Sequence, residues 1–518
     1  MYVSEWLESG ARLWPEKVAV NTRQYQVTYS QLFNYVQAFC NSCRSNGMHR
    51  GDRVILYLSN TLEAVIAIFG VIRAGGMIVC ISPRTPVPKL KQILSDSGAQ
   101  IIVADHYIED DLQIKIKLAV HINNNVTEQQ RSWTSLWDWV RIENINAPLN
   151  EGEHLALIYT SGSTGSPKGI ISTRNNILFS TKAINQFLMH GYDDRVLSYL
   201  PLSFDYGLYQ LFLTISSGAT LYLRDSRKFA VEISTLLRTE QITGLPGLRS
   251  LFAYFLLSKK ETFESIRYVT NTGDALPPNL VQQLQSTFPQ SKVYLMYGLS
   301  ECKRVSILPP ADLQRKPNSV GLPLRGTSVR IVDDLGQLCA PFVEGELVVE
   351  GQHICAGYWG REEETKDTFL TTDNGVRLLK TGDICYLDDE GYLYYVGRRD
   401  KMFKSKGYRI DPLEIENSVT DNFTEVADAI AIGVPNPRDG MKIILFARTS
   451  PHVDKEHLMQ SIIESCQLLL EPWKQPEEVF IMEKFPLTTS GKIDRRLLTE
   501  NYIKERGNES VRSGTANN

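Results

Sequence analysis

Apolar runs alternate with amphipathic helical patterns along the first hundred residues of the chain. A short apolar run bounded by turn residues predicts a buried strand, and an apolar stripe at helical spacing predicts a helix. Their alternation predicts a layered α/β domain. The predicted elements are a strand over 52–59, a helix over 60–74 capped by Asn60, a strand over 77–82, a helix over 89–98 and a strand over 100–104.

The pattern changes at residues 397–407 (GRRDKMFKSKG), a short basic segment bounded by glycines. Beyond it, a compact series of helix, strand, strand, helix and strand is predicted up to Leu498. We therefore predict a large N-terminal α/β domain over residues 1–399 and a small α+β C-terminal domain over residues 400–505. Residues 506–518 are small and polar, which predicts a disordered tail.

Composition argues against several classes of function. The 518 residues are 42% hydrophobic, enough for large cores, and the net charge of -4 offers no attraction for nucleic acid or an anionic membrane. The longest apolar stretch, residues 64–72, is far shorter than the ~20 residues that span a bilayer. Glu5 and Glu8 stand where a secretory signal would be basic and then apolar. We expect a soluble, cytoplasmic protein that binds neither nucleic acid nor membrane.

The cysteines and histidines do not predict a metal site. Only Cys40 and Cys43 form a close pair among the eight cysteines, and they lie in a helical pattern that would bury them. The eight histidines show none of the spacings typical of zinc sites. We expect the cysteines to be reduced and structural.

The strongest chemical signal is the segment YTSGSTGSPKG at residues 159–169, which follows a strand-like apolar run at 155–158. Glycines let backbone amides approach a ligand, hydroxyls donate hydrogen bonds and a lysine supplies positive charge, so the segment suits a phosphate chain. It is not a Walker loop, because Pro167 replaces the glycine before the lysine and Gly169 the hydroxyl residue after it. A flexible linker is the alternative, but a linker needs neither the strand nor the Pro-Lys-Gly ending.

This segment resembles the phosphate loop of the adenylating superfamily that contains acyl-CoA synthetases, luciferase-like enzymes and the adenylation domains of nonribosomal peptide synthetases. The resemblance covers residues 10–498 and implies a large domain with a mobile small domain. It also implies an ATP-dependent, AMP-forming ligase that joins a carboxylic acid to AMP and passes it to a thiol. The further motifs, in the order of the superfamily, are YGLSE (297–301), GEL (345–347), KTGD (380–383), GRRDKMFKSKGYRI (397–410) and PLTTSGKIDRR (486–496).

The resemblance also implies roles for residues around ATP. Glu301 would bind Mg²⁺, and Asp383 would accept hydrogen bonds from the ribose hydroxyls, with a further contact from Arg398. Taken alone, Asp383 could cap a turn and Glu301 could be a solvated surface acid. The expected ATP-binding residues are Thr160, Ser161, Gly162, Ser163, Thr164, Gly165, Lys168, Tyr297, Gly298, Ser300, Asp383 and Arg398.

Three residues of the small domain have implied roles in the two half-reactions. Lys492 would stabilise negative charge on the attacking carboxylate and the α-phosphate, although an exposed lysine is the commoner interpretation of such a position. Asp400 matches the hinge about which the small domain swings after adenylation. Lys404 would then face the active site as a catalytic residue of thiol transfer. Lys492 would serve the first half-reaction only.

The substrate class depends on SFDYGLYQ at residues 203–210, which resembles the segment of amino-acid adenylation domains whose aspartate pairs with the substrate ammonium. Asp205 falls on that position, and a buried amine needs such a partner. The sequence departs from the amino-acid pattern at TGD (272–274) and at YGLSECKRVS (297–306). The resemblance gives a pocket lined by Asp205, Tyr206, Tyr209, Leu248, Thr270, Thr272, Met296, Arg304 and Val305.

The pocket residues leave three interpretations open. Tyr206 and Tyr209 with Met296 predict a closed pocket for a compact amino acid, with proline as the first candidate. Alternatively, the two tyrosines are core aromatics. Arg304, preceded by Lys303, indicates a third possibility, a substrate with a second carboxylate, since a buried guanidinium otherwise needs a protein partner.

The thiol acceptor is expected in trans, because no carrier segment follows Arg496. A separate carrier protein fits Asp205 better than free coenzyme A does. The alternative is an acyl-CoA ligase acting on a carboxylic acid without an amine. A kinase is disfavoured by the absence of Walker and kinase motifs, and a silent nucleotide-binding relative by the presence of Lys492, Glu301 and Asp383.

Overall fold

The computed structural model describes residues 1–105, 118–121, 133–140, 149–161, 167–225, 229–257, 261–273, 276–372, 375–399, 403–405, 408–436, 440–488 and 491–514. Its α-helices are α1 (Glu5–Leu13), α2 (Tyr29–Ser45), α3 (Leu62–Ala74), α4 (Val87–Ser97), α5 (Leu136–Val140), α6 (Arg174–Leu188), α7 (Asp205–Ser216), α8 (Phe229–Thr239), α9 (Arg249–Leu257), α10 (Pro278–Thr287), α11 (Glu362–Thr368), α12 (Pro412–Asn422), α13 (Lys455–Leu469) and α14 (Arg495–Gly514).

The strands of the large domain and of the small domain are numbered in one series. They are β1 (Val18–Asn21), β2 (Gln26–Thr28), β3 (Arg53–Tyr57), β4 (Met77–Ile81), β5 (Ile101–Ala104), β6 (Leu118–His121), β7 (Trp133–Ser135), β8 (His154–Ser161), β9 (Pro167–Thr173), β10 (Arg195–Ser198), β11 (Thr220–Leu223), β12 (Gly244–Gly247), β13 (Tyr268–Asn271), β14 (Lys292–Tyr297), β15 (Ser306–Leu308), β16 (Ser319–Pro323), β17 (Thr327–Val332), β18 (Gly345–Gly351), β19 (Phe369–Thr371), β20 (Arg377–Leu387), β21 (Leu393–Arg398), β22 (Phe403–Ser405), β23 (Tyr408–Ile410), β24 (Val426–Asn436), β25 (Gly440–Thr449) and β26 (Glu478–Met482).

The first sheet confirms the predicted alternation of strands and helices. Its order is β7-β6-β5-β3-β4-β8-β9, and β3 pairs in parallel with both β4 and β5. Every residue of α3 is buried, which explains its uninterrupted apolar pattern.

The predicted cap of α3 is wrong by one residue. Thr61 is the N-cap, and its side chain accepts a hydrogen bond from the Ala64 amide. The Asn60 amide group instead donates to the carbonyls of Leu200 and Arg224, each at 2.9 Å. Asn60 therefore links the first sheet to the second.

The second sheet places the carboxyl ends of parallel strands beside the N-terminus of α7. Its order is β17-β18-β20-β21-β16-β15-β14-β13-β12-β10-β11-β1-β2, and β19 pairs with β20. Strands β10, β12, β13 and β14 run parallel. Ligands of open α/β sheets bind outside such carboxyl ends.

The small domain follows the predicted series of elements. Its sheet has the order β23-β22-β25-β24, with β26 on β25, and α12 and α13 pack on one face through Ile415, Val419 and Ile462. Helix α14 packs on the other face and continues to Gly514, through most of the segment for which composition predicted disorder.

All eight cysteines are free, and Cys40 and Cys43 are buried in α2, as predicted. None of the helices in the described part of the chain is long and apolar enough to cross a membrane.

Candidate active site

The ends of the phosphate-loop segment form an antiparallel hairpin. Strands β8 and β9 pair Thr160 with Lys168, so the two side chains belong to neighbouring strands at the mouth of the loop. The Lys168 ammonium forms an ion pair with Glu364 and lies 5.6 Å from the centre of the Tyr358 ring. The predicted phosphate ligands Gly162, Ser163, Thr164 and Gly165 lie outside the described residues.

A cavity of about 280 Å³ opens between the YGLSE turn and the KTGD strand. Glu301 lines it, half-buried, and accepts a hydrogen bond of 3.1 Å from the Tyr358 hydroxyl. Burial and the Glu301 carboxylate raise the pKa of Tyr358, so the phenol stays a neutral donor. No basic nitrogen of the described residues lies within 4.0 Å of the Glu301 carboxylate, which is therefore available to a cation.

Asp383 is held at the other side of this cavity. Its buried carboxylate accepts a hydrogen bond from the Tyr297 hydroxyl and lies 3.4 Å from Nε of Arg398. Strand pairing fixes this arrangement, because Asp383 on β20 is opposite Arg398 on β21. Burial, with the neighbouring Asp383 charge, raises the pKa of Tyr297 well above its usual range. A fixed carboxylate of this kind can accept hydrogen bonds from sugar hydroxyls.

The YGLSE segment makes a tight turn between Tyr297 and Arg304. A Cβ at Gly298 would lie 1.9 Å from the Lys303 carbonyl oxygen, so only glycine fits there. Lys303 has a φ of 64° and its ammonium donates to the Ser300 carbonyl at 2.9 Å. The turn places Glu301 toward the 280 Å³ cavity and Arg304 toward the predicted substrate pocket.

Lys492 reaches the large domain from a turn of the small domain. Its ammonium lies 5.4 Å from the centre of the Phe204 ring and 3.1 Å from the position of a Cβ built on Gly273. Gly273 has a φ of 93°, so a side chain there would be strained and would displace Lys492. The Ser250 hydroxyl donates to the Gly491 carbonyl at 3.2 Å and fixes the turn. Lys492 is half-buried in this position and is not the exposed surface lysine of the alternative interpretation.

Asp205 begins helix α7, directly after Phe204. Its Oδ1 accepts the Tyr206 amide at 2.8 Å, and a carboxylate is favoured at a helix N-terminus. The side chain is half-buried, and no basic nitrogen of the described residues lies within 4.0 Å of it. The carboxylate therefore has no protein cation as a partner in the part of the chain that the structure describes.

The two tyrosines after Asp205 have different surroundings. Tyr206 packs with Leu200 and Leu248, and its hydroxyl contacts the carbonyl and the hydroxyl of Thr270 at 2.9 and 2.7 Å. Burial raises the pKa of Tyr206 to about 12. Tyr209 lies in the main core against Phe212, so of the two tyrosines Tyr209 is a core aromatic residue.

Arg304 is a buried cation beside Tyr206. Its Nη1 donates to the Thr272 hydroxyl, and its guanidinium carbon lies 5.5 Å from the centre of the Tyr206 ring. Burial lowers the pKa of Arg304, and no carboxylate of the described residues comes within 4.0 Å. Its Nε has no hydrogen-bond partner among them.

The structure thus brings part of the predicted pocket together. Asp205, Tyr206, Leu248, Thr270, Thr272 and Arg304 are joined by direct contacts or by the chain. Met296 and Val305 pack in the main core. Asp400 lies outside the described residues, as does the side chain of Lys404, whose backbone belongs to β22.

Residues 7–359 match the AMP-binding enzyme family, and residues 414–492 match the AMP-binding enzyme C-terminal domain. The chain belongs to the AMP-binding enzyme family. Its homologues are AMP-forming ligases of an adenylating superfamily that uses ATP. The large N-terminal and small C-terminal domains of this AMP-binding enzyme match the fold predicted from the sequence.

Relatives of two kinds resemble this AMP-binding enzyme. Gramicidin S synthase 2 of Brevibacillus brevis is 28% identical over 96% of the chain, which spans 11% of that protein. The 2-succinylbenzoate--CoA ligase of Bacillus subtilis (strain 168) is 29% identical over 96% of the chain and 97% of the ligase. The crystal structure of the anthranilate CoA ligase AuaEII with anthranoyl-AMP has the same fold, with a TM-score of 0.88, 23% identity and 97% coverage of both chains.

Sequence reasoning missed three side chains that contact the predicted ATP-binding residues or the strand that carries one of them. Tyr358 donates to Glu301, and Glu364 pairs with Lys168. Glu346, in the GEL motif, accepts the Gly382 amide at 3.2 Å and so orients the strand that carries Asp383. The motif itself was visible in the sequence, but its contact with residue 382 was not.

Proposed function

We propose that this AMP-binding enzyme activates an amino acid to aminoacyl-AMP and transfers the aminoacyl group to the phosphopantetheine thiol of a carrier protein. The observation that carries the proposal is the Asp205 carboxylate, half-buried without a cationic partner among the described residues, next to the aromatic ring that Lys492 contacts. A substrate ammonium would supply the missing positive charge.

The first half-reaction exchanges one bond at the α-phosphate. A carboxylate oxygen of the amino acid forms a bond to the α-phosphorus, the bond from that phosphorus to the bridging oxygen breaks, and pyrophosphate leaves. Negative charge shifts within a group of anions, so fixed cations and donors dominate the catalysis. Lys492 is proposed to hold the charge at the reacting carboxylate and the α-phosphate.

The nucleotide is proposed to lie between the β8–β9 hairpin and the cavity of Glu301. Thr160, Ser161 and Lys168 would hold the phosphates together with residues 162–165, and Lys168 would leave Glu364 to do so. Asp383, oriented by Tyr297 and Arg398, would accept the ribose hydroxyls.

Magnesium is proposed to bind Glu301. The site fits this ion, because carboxylate oxygens suit Mg²⁺ and Glu301 has no cationic partner among the described residues. When bound, the ion would neutralise phosphate charge. Tyr358 would orient the carboxylate that holds it.

Transfer to the thiol is proposed to follow a swing of the small domain about Asp400, which brings Lys404 to the active site. Both roles rest on the resemblance alone. Coenzyme A is the alternative acceptor, and a ligase for an acid without an amine is the alternative function. That alternative is favoured by the similarity to 2-succinylbenzoate--CoA ligase along nearly the whole of both chains.

Exchange of labelled pyrophosphate into ATP tests the proposal. The protein is incubated with ATP, Mg²⁺ and a panel of amino acids, including proline as a compact candidate, beside carboxylic acids without an amine. We expect exchange that depends on an amino acid, with AMP as the nucleotide product. ADP as the product would contradict adenylation, and exchange only with amine-free acids would support the alternative.

A further inference from the structure

Each of the two aromatic residues that flank Asp205 in the chain has a cationic side chain next to its ring. The Lys492 ammonium lies 5.4 Å from the centre of the Phe204 ring, and the Arg304 guanidinium lies 5.5 Å from that of Tyr206. The two rings are in edge contact, with centroids 6.3 Å apart. Asp205 therefore stands in the chain between two aromatic residues that each lie next to a cation.

Lys492 and Arg304 approach the same TGD segment as well. Arg304 donates to the Thr272 hydroxyl, and Lys492 lies over Gly273, the next residue. The two cations therefore lie at adjacent residues of one segment. Lys492 belongs to the small domain, whereas Arg304 belongs to the large domain. Arg304 therefore stays in the pocket when the small domain moves away.

Arg304 is buried without an ion pair among the described residues, and the charge of Asp205 only partly offsets the lowering of its pKa by burial. Its side chain is 6% exposed, and no described carboxylate lies within 4.0 Å. Burial raises the pKa of the neighbouring Tyr206, so its phenol does not supply a negative charge. Removing a guanidinium from water without a partner is strongly unfavourable. An anion from outside the described residues would offset this cost.

We infer that the substrate carries a second acidic group, which Arg304 binds while Asp205 binds the ammonium and Lys492 faces the carboxylate that reacts. The inference rests on the proposed function and narrows its substrate to an acidic amino acid. Thr272 acts as a positioning residue, since its hydroxyl orients the guanidinium. Lys303 has a different role, because its ammonium is bound to the Ser300 carbonyl.

Paired substrates test this inference. Exchange of pyrophosphate is measured with aspartate against asparagine and with glutamate against glutamine, which differ in charge and little in shape. We expect one acid to exceed its amide in kcat/KM. Arg304→Met should lower that ratio on the order of a hundredfold, and Arg304→Lys should lower it less. Arg330→Met, which removes an exposed guanidinium on β17, should leave the ratio unchanged.

Two further variants keep the test decisive. Thr272→Val removes only the hydroxyl that holds Arg304 and should lower the acid-to-amide ratio several-fold without unfolding the protein. Asp274 lies outside the described residues and follows Gly273 in the chain. Asp274→Asn should leave the ratio in place, whereas a large rise in the ratio would identify Asp274 as an anion that already neutralises Arg304 and would overturn the inference.

The outcomes separate this inference from the proposed function. Wild-type preference for neutral amino acids, with Arg304→Met reducing acid and amide equally, would overturn the inference and leave amino-acid activation intact. Exchange with dicarboxylic acids that lack an amine, lost in Arg304→Met, would support the second acidic site and contradict the amino-acid substrate.

Discussion

The Lys492 ammonium lies 5.4 Å from the centre of the Phe204 ring, although the two residues belong to different domains. The face of an aromatic ring attracts a cation, and the neighbouring Asp205 adds negative charge. The small domain is thus placed with its lysine against Phe204 and Gly273, the arrangement that the proposed first half-reaction requires.

Removal of the Lys492 charge should therefore affect one half-reaction. Lys492→Ala is expected to lower pyrophosphate exchange by about a hundredfold to a thousandfold, the loss typical of one preorganised charged donor. Transfer from supplied aminoacyl-AMP to the thiol should persist near the wild-type rate. Equal losses in both assays would show that Lys492 is structural.

The ion pair of Arg249 and Asp428 should stabilise the same arrangement. Arg249, on α9 of the large domain, lies 2.8 Å from the buried Asp428 of the small domain, which also pairs with Arg448 in its own domain. Arg249→Met should lower exchange roughly tenfold by loosening the domain contact, since Arg448 still neutralises Asp428. Transfer from supplied aminoacyl-AMP should not fall.

A surface pair provides the control for that variant. Arg238 and Glu261 lie 3.7 Å apart with about half of each side chain exposed, and such pairs contribute little. Arg238→Met should therefore exchange like the wild type. If Arg249→Met lowered both half-reactions, or matched Arg238→Met, the ion pair would have no part in positioning the small domain.

Acid should destabilise the protein through His353. Its buried ring stacks on Phe179 with centroids 5.5 Å apart, and burial lowers the pKa of His353 to about 4. Between pH 6.5 and 4 the unfolded chain takes up a proton that the folded chain does not, so stability falls as the pH falls through that window. The loss in the free energy of unfolding that comes from His353 is at most about 3 kcal/mol.

Thermal unfolding across this window measures the effect. His353→Phe keeps the stacking and removes the titration, so its melting temperature should fall less between pH 7 and pH 4.5 than that of the wild type. His452→Gln changes an exposed histidine and should follow the wild type. Parallel curves for wild type and His353→Phe would show that His353 is protonated without cost.

Local patterns predicted the alternation of β3, α3, β4, α4 and β5, because strands that are buried on both faces have continuous apolar sequences. They did not choose correctly between Asn60 and Thr61 as the cap of α3. Both residue types cap helices well. The Asn60 side chain is instead hydrogen-bonded to the carbonyls of residues 200 and 224, which are far away in the chain, so Thr61 is left as the cap.

The site was predictable to the extent that motifs mark it. Each motif identified a residue type, such as Glu301 or Lys492, while the partner that orients it came from a remote segment. The fold brings Tyr358 into contact with Glu301, which is 57 residues away in the chain. It also brings Phe204 next to Lys492 of the other domain. Arg304 was visible as a charge, but the lack of a carboxylate within 4.0 Å of it among the described residues is a property of the folded packing.

The central claim, that an amino acid is the substrate, depends on Asp205 and is tested most directly by Asp205→Asn. Asparagine can still accept the Tyr206 amide while it removes the charge. Pyrophosphate exchange is measured for wild type and variant with the best amino acid and with its analogue lacking nitrogen. We predict that kcat/KM for the amino acid falls roughly a hundredfold and that the analogue is little affected. A wild type that prefers the analogue, or a variant that loses both substrates equally, would contradict the claim.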